Sequence, residues 1–276
     1  MENANPLSKY FRQPKVYLSL PSKGQFYPAG TLTGDATNLP VFGMNAMDEI
    51  MMKTPDALFS GESVVSVIKS CIPDIKDPWA MPQLDIDSVL IAIRIATYGS
   101  DLDLQFKCTK CNHMNDTKFD LSRALDYFAS LNYENKLFVN PLYITLKPYT
   151  YKEYTNIQLQ SYELRRLLAK STSDISEVER KKLLDDFYKK LAMIESEGFK
   201  KQIQTVEADD TVVENAAQIN EWIQNSEKTF FDKIKEHLEK SRKEWKIQPQ
   251  KTSCSECETS NTVDIDLDLA NFFVKR

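Results

Sequence analysis

Two Cys-x-x-Cys pairs, Cys108/Cys111 and Cys254/Cys257, stand far apart in the chain, and the residues after each pair repeat at one constant offset. The first segment reads C-T-K-C-N-H-M-N-D-T-K-F-D-L from Cys108 to Leu121, and the second C-S-E-C-E-T-S-N-T-V-D-I-D-L from Cys254 to Leu267. A shift of 146 positions, from Cys108 to Cys254, superimposes both cysteines, Asn115 on Asn261, Asp120 on Asp266 and Leu121 on Leu267. Four thiolates from two such turns make a tetrahedral sulfur cage with no open position, the arrangement of a structural zinc ribbon. A fold that forms this cage must bring together segments that 142 residues, 112 to 253, separate in sequence. The middle of the chain is then an insertion between two half-sites, and the metal closes a very long loop.

The cysteine count fits this use. Four of the five cysteines lie in the two pairs, which suits a reducing compartment with metal or redox chemistry better than a disulfide framework. The fifth, Cys71, lies in the apolar run Val67-Ile68-Lys69-Ser70-Cys71-Ile72 and reads as a small buried hydrophobe. Zinc is the expected metal, and iron satisfies the same S4 donor set. A thioredoxin-like redox motif would open a helix after a strand, whereas β-favouring residues flank both pairs here. Haem attachment requires Cys-x-x-Cys-His, and Asn112 occupies that histidine position; His113 comes one residue late.

Chemistry beyond the thiols is sparse. The chain has two histidines, His113 and His237, and no GxSxG, P-loop, GxGxxG or HExxH motif, so a non-enzymatic role is expected. Asp101/Asp103 and Asp264/Asp266/Asp268 alternate along strand-like segments and read as solvated strand faces. Arg165/Arg166, Lys181/Lys182, Lys189/Lys190 and Lys200/Lys201 are interleaved with acids and read as helix coats. A net charge of −5 disfavours nucleic acid as the main partner, since phosphate binding needs a basic surface. No stretch approaches the ~20 apolar residues of a membrane helix, and Met1-Glu2-Asn3 lacks the basic start of a secretory leader.

The patterning predicts an α+β protein: helical units, a split zinc-ribbon-like module made of two CxxC hairpins, and an extended N-terminal arm. Residues 1–43 carry five prolines and four of the seven glycines, which excludes a long helix and predicts the arm. Within it Val16–Leu20 is strand-like, and Pro21-Ser22-Lys23-Gly24 reads as a turn before Phe26/Tyr27. Residues 44–100 form a helical unit. Its first helix starts at Asn45 with Met47, Ile50, Met51 and Leu58 on one face. A second runs from about Glu62 to Cys71, and a third, very apolar, has Asp85 or Asp87 near its start and Gly99 after its end. Arg94 interrupts that third helix as a snorkelling or acid-paired side chain. Residues 101–148 hold the first CxxC hairpin and a strand at Leu142–Leu146, 149–243 a mainly helical insertion, and 244–276 the second hairpin. In the insertion Ser176 and Glu179 make a capping box, Ser226 caps a later helix, Ile203–Val206 is a short strand and Glu207–Asp210 a loop.

Two features point to partners: the methionine-rich helix around Met47 and Met51, and the arm, which has little visible means of covering Tyr10, Phe11, Tyr17, Phe26 and Tyr27 and so suits lying across a second subunit. The chain resembles the baseplate hub and hub-assembly proteins of T-even-type contractile-tailed phages. Three segments carry the resemblance: Leu20-Pro21-Ser22-Lys23-Gly24-Gln25-Phe26-Tyr27-Pro28, Glu49 to Gly61 (E-I-M-M-K-T-P-D-A-L-F-S-G), and Arg94-Ile95-Ala96-Thr97-Tyr98-Gly99. The resemblance implies a late viral protein without enzymatic activity, acting in the host cytoplasm during assembly of the tail hub. Its partners would be hub or tape-measure proteins, and its interaction residues would include Leu20, Pro21, Lys23, Gly24, Phe26, Tyr27, Met47 and Met51. A permanent hub subunit in the virion is a variant of this reading. A zinc-ribbon nucleic-acid-binding regulator is the alternative from another class, and the acidic strands count against it.

Overall fold

The computed structural model describes residues 6–171, 176–209, 211–265, 267, 272 and 273. They divide into two units, one from the described parts of Met1–Pro78, Leu84–Leu131 and Trp245–Arg276, the other from Trp79–Gln83 and Asn132–Glu244. Both CxxC hairpins therefore belong to the first unit, whereas the strand after the first hairpin goes with the insertion in the second.

In the first unit, β1 (Pro14–Leu18) pairs antiparallel with β2 (Leu39–Phe42), Leu18 facing Leu39. The segment read as an arm is thus folded onto its own unit from residue 14. Leu18, Leu20, Leu39 and Val41 are buried, because apolar residues at alternate positions of paired strands share one face. Tyr10, Phe11 and Tyr17 do face solvent. The turn at Pro21–Gly24 forms as the sequence predicts, with Lys23 N–H bonded to Leu20 C=O and Gly24 at φ +79°. A Cβ on Gly24 would meet the Ala36 Cβ at 2.9 Å, so glycine is required there both by φ and by space.

The first predicted helix is two. Asn45 and Asp48 form a capping box that starts α1 (Ala46–Met51), and α2 (Pro55–Phe59) follows after a break. Proline disfavours helical backbone at the residue before it, here Thr54, which ends the first segment. The face shared by Met47, Ile50, Met51 and Leu58 is only partly covered: Met47 is 64% and Ile50 61% exposed, Met51 and Leu58 are half-buried, and Met52 is buried. Gly61, at φ +82°, opens α3 (Glu62–Cys71), which buries Val64, Val65, Val67 and Ile68. The third predicted helix is α4 (Gln83–Tyr98), with Gly99 at φ +96° accepting the left-handed turn after it. Ile91, Ala92 and Ile93 are consecutive and all fully buried, so α4 is apolar around its circumference and forms the centre of the unit. Arg94 does not snorkel, and among the described residues it has no acid at hydrogen-bond distance. It is buried and donates to the carbonyls of Phe272, Gly99 and Asp101 at 2.9, 3.3 and 3.2 Å. The hairpin β3 (Asp101–Lys107) and β4 (Met114–Asp120) follows, and Asp120 then caps α5 (Leu121–Ser130) by accepting from Ser122 N–H.

The second unit is built on an antiparallel sheet of β5 (Lys136–Val139), β6 (Leu142–Leu146), β7 and β8 in sequence order. Between β6 and β7 come α6 (Tyr151–Ser171) and α7 (Glu177–Gln202), the latter opened by the Ser176/Glu179 capping box. The residues read as a loop at Glu207 instead continue a strand: β7 (Ile203–Ala208) turns at Asp209, φ +51°, into β8 (Thr211–Val213). Asp210 lies outside the described residues. Asn215 caps α8 (Ala216–Asn225), which precedes α9 (Lys228–Glu244). Ser226, expected to cap the later helix, donates instead to Ile223 C=O and closes α8. One core holds this unit together: Val139, Ile144, Leu146 and Val206 from the sheet pack with Phe199, Ile219, Ile234 and Leu238 from the helices. The chain then returns to the first unit with β9 (Gln250–Ser253) and β10 (Ser260–Val263), paired antiparallel.

Candidate metal centre

Each CxxC pair sits on the turn of its hairpin, and the two turns have the same backbone. In the first, Cys108 N–H bonds to His113 C=O at 2.9 Å and Asn112 N–H to Cys108 C=O at 3.0 Å. In the second, Cys254 N–H bonds to Thr259 C=O and Glu258 N–H to Cys254 C=O, both at 3.0 Å. The residue after the second cysteine is left-handed in both, Asn112 at φ +61° and Glu258 at φ +56°. Such a turn aims the thiols and the intervening N–H groups at one point.

The two turns face each other across four sulfurs, all within 4.8 Å. Cys108 Sγ lies 3.7 Å from Cys257 Sγ, and Cys111 Sγ lies 3.6 Å from Cys254 Sγ. A zinc ion with Zn–S bonds of about 2.3 Å places tetrahedral sulfurs about 3.8 Å apart, so these contacts fit such an ion at the centre. Cys108 and Cys254 are buried, Cys257 is half-buried and Cys111 exposed. Among the described residues no other cluster of three or more histidines, cysteines and acids is placed to hold a metal.

The thiols are electrostatically unequal. N–H groups of Cys111 and Lys110 bring the Cys108 thiol down to about 6. Burial opposes ionisation of Cys254, yet N–H bonds from Cys257 and Glu256 and the Asn115 amide lower it on balance. The His113 N–H lowers Cys111, but partial desolvation beside the facing turn and the other three thiols outweigh it and carry that group up to about 12. Four like groups this close share protons until a cation compensates their charge, and soft thiolates select zinc or iron for that place.

Two asparagines join the turns, and sequence reasoning gave them no role. Asn115 Oδ1 accepts from the N–H and hydroxyl of Ser255 at 2.8 and 2.9 Å, while its Nδ2 donates to His113 C=O at 3.0 Å and Cys254 Sγ at 3.5 Å. Asn261 Oδ1 accepts from the N–H and hydroxyl of Thr109, both at 3.0 Å, and its Nδ2 donates to Thr259 C=O at 2.7 Å and Cys108 Sγ at 3.7 Å. Every partner in one set is the partner in the other moved by 146 positions. The signal was present in the repeated Asn and in the hydroxyl shared by Thr109 and Ser255. What it lacked was any indication that each asparagine serves the opposite turn. Of the other matched positions, Asp120 caps α5 and Leu121 is fully buried, while Asp266 lies outside the described residues.

The remaining candidate residues are dispersed. Leu20, Pro21 and Met51 are buried or half-buried within the first unit, and Tyr27 donates its hydroxyl to Asp85 at 3.1 Å. Gly24 and Phe26 are half-buried, both at positive φ, and Lys23 is exposed with its Nζ 2.8 Å from Ala129 C=O. Met47 is exposed. Cys71 is fully buried as expected, and burial pushes its thiol up to about 12. No helix among the described residues is long and apolar enough to cross a membrane.

Fold and cage together define a two-unit α+β protein whose first unit is closed by a split, ribbon-like thiolate site. The family model of the T4 bacteriophage base plate protein matches residues 33–274, and the chain belongs to that family. The match includes both CxxC turns and two of the three segments that carried the resemblance; Leu20–Pro28 lies before it. No curated protein and no solved structure matched the chain.

Proposed function

We propose that the protein is a non-enzymatic assembly factor for the central hub of the phage baseplate, holding hub or tape-measure subunits while the hub is built in the host cytoplasm. Membership of the base plate family over residues 33–274 carries this reading. Three features support it. The cage is a closed four-sulfur site, which suits architecture and leaves no position for a substrate. The first unit exposes Leu7, Tyr10, Phe11, Tyr17, Met47 and Ile50 to solvent, apolar side chains that a partner subunit could cover. The second unit exposes Tyr162, Leu167, Tyr188 and Met193 along α6 and α7. Zinc is the metal assigned to the cage, with a structural role.

Affinity purification of the tagged protein from infected cells, compared with purified mature particles, tests the reading. Co-purification of hub or tape-measure components together with absence from particles is expected. Presence in particles at stoichiometric amounts makes the protein a permanent hub subunit instead, and recovery of nucleic acid without tail proteins overturns both.

A further inference from the structure

The cage is a duplicated half-site, and its organisation goes beyond four ligands. Each turn contributes two thiolates, one buried asparagine and one hydroxyl, and each asparagine reaches across to the other turn. Asn115 and Asn261 are both 5% exposed. A buried carboxamide has two donors and an acceptor to satisfy, and here each one has partners at the distances given above. The acceptor fixes the opposite turn through its backbone N–H and hydroxyl. The donors fix the asparagine's own turn and the sulfur of the opposite turn's first cysteine. Removing one asparagine therefore releases both turns at once.

On the reading that the cage holds a metal ion, we propose that Asn115 and Asn261 are reciprocal positioning residues that lock the two half-sites together around the dication. Each sets the rate at which the opposite turn lets the ion go. The design is that of outer-layer hydrogen bonds in metal sites, whose loss costs about 10- to 100-fold in affinity. The side chain's identity matters because donor and acceptor ends do different jobs. An aspartate keeps the acceptor toward Ser255 or Thr109, but directs a second oxygen at a carbonyl and a thiolate, both electron-rich.

The test uses the full chain loaded with zinc and challenged with excess chromophoric chelator, with cobalt(II) substitution to read the sulfur-to-metal absorption. Folded Asn115→Ala and Asn261→Ala are each expected to release zinc about tenfold faster or more, at rates similar to one another. Their cobalt spectra should keep four-thiolate intensity with shifted bands. Asn115→Asp and Asn261→Asp should release faster still. Ser255→Ala, which removes one donor to Asn115, provides the same test with a milder change and should give a several-fold acceleration. Wild-type release rates in the folded alanine variants overturn the proposal, as do aspartate variants that hold zinc as well as wild type. A wild-type chain that binds neither zinc nor cobalt overturns the metal reading itself, a result separable from failure of the asparagine variants alone.

Discussion

Asp85 is fully buried in the first turn of α4, where it accepts from Ser22 N–H at 2.8 Å, Ser22 Oγ at 2.6 Å and Tyr27 Oη at 3.1 Å. Burial raises this carboxyl from its ordinary 3.8 to about 6, against the lowering influence of those three bonds and of the Lys23 charge. The folded state therefore binds the proton more tightly than the unfolded chain. Its contribution is present in full below the unfolded value and is lost as pH rises through 6, about 3 kcal/mol over that window. Asp85→Asn keeps an acceptor for the Ser22 N–H and cannot ionise, while both hydroxyls can rotate to accept. In urea titrations from pH 4 to 7, wild type is expected to lose stability relative to Asp85→Asn, by up to about 3 kcal/mol. A difference that stays flat with pH would contradict the role given to this carboxyl. Its place at the start of a helix was legible in the sequence. Its partners, 63 and 58 residues away, were not, because nothing local to a turn and a helix start announces that they meet.

At the scale of elements, legibility followed the strength of the local signal. The bounds of β6, the Ser176/Glu179 box, the glycine after α4 and both CxxC hairpins follow from period, caps and turn chemistry. Burial did not follow where two faces were comparably apolar. Around α1 the sequence offers Met47, Ile50, Met51 and Met52, and the helix ends before Pro55 after less than two turns, so packing rather than period decides which methionine goes inside. The short strands β5 and β8, of four and three residues, each pair with the strand next to them in sequence, but so few residues carry too little alternation to announce a strand. A pair of substitutions tests the helix faces. Ile91→Ala, at a fully buried site in α4, should cost about 2–5 kcal/mol, whereas Ile50→Ala on the exposed face of α1 should stay within about 0.5 kcal/mol. Denaturant midpoints distinguish these outcomes, and a large loss for Ile50→Ala would place that face inside after all.

The whole molecule is organised by a loop. Cys111 and Cys254 are 143 positions apart, and the chain between them includes every residue of the second unit except Trp79–Gln83. Closing a loop of that length removes about 5 kcal/mol of chain entropy from the unfolded state in the chain-entropy model, and doubling its length would add only about 0.6 kcal/mol. An insertion of this size is therefore compatible with the clamp, provided that the insertion folds on a core of its own. The cluster of Val139, Ile144, Leu146, Phe199, Ile219, Ile234 and Leu238 is such a core, drawn from the second unit alone. Removal of the ion should consequently act unevenly. With a metal chelator added, or in Cys254→Ser, amides of β3, β4, β9 and β10 should lose hydrogen-exchange protection, and the melting transition of the first unit should fall. Amides of β6, β7 and α9 should keep most of theirs, because local stability follows local burial. Exchange measured by mass spectrometry on the full chain resolves the two sets of peptides. Uniform loss across both would mean that the clamp supports one cooperative body, and no loss in the four hairpin strands would mean that the hairpins stand without the ion.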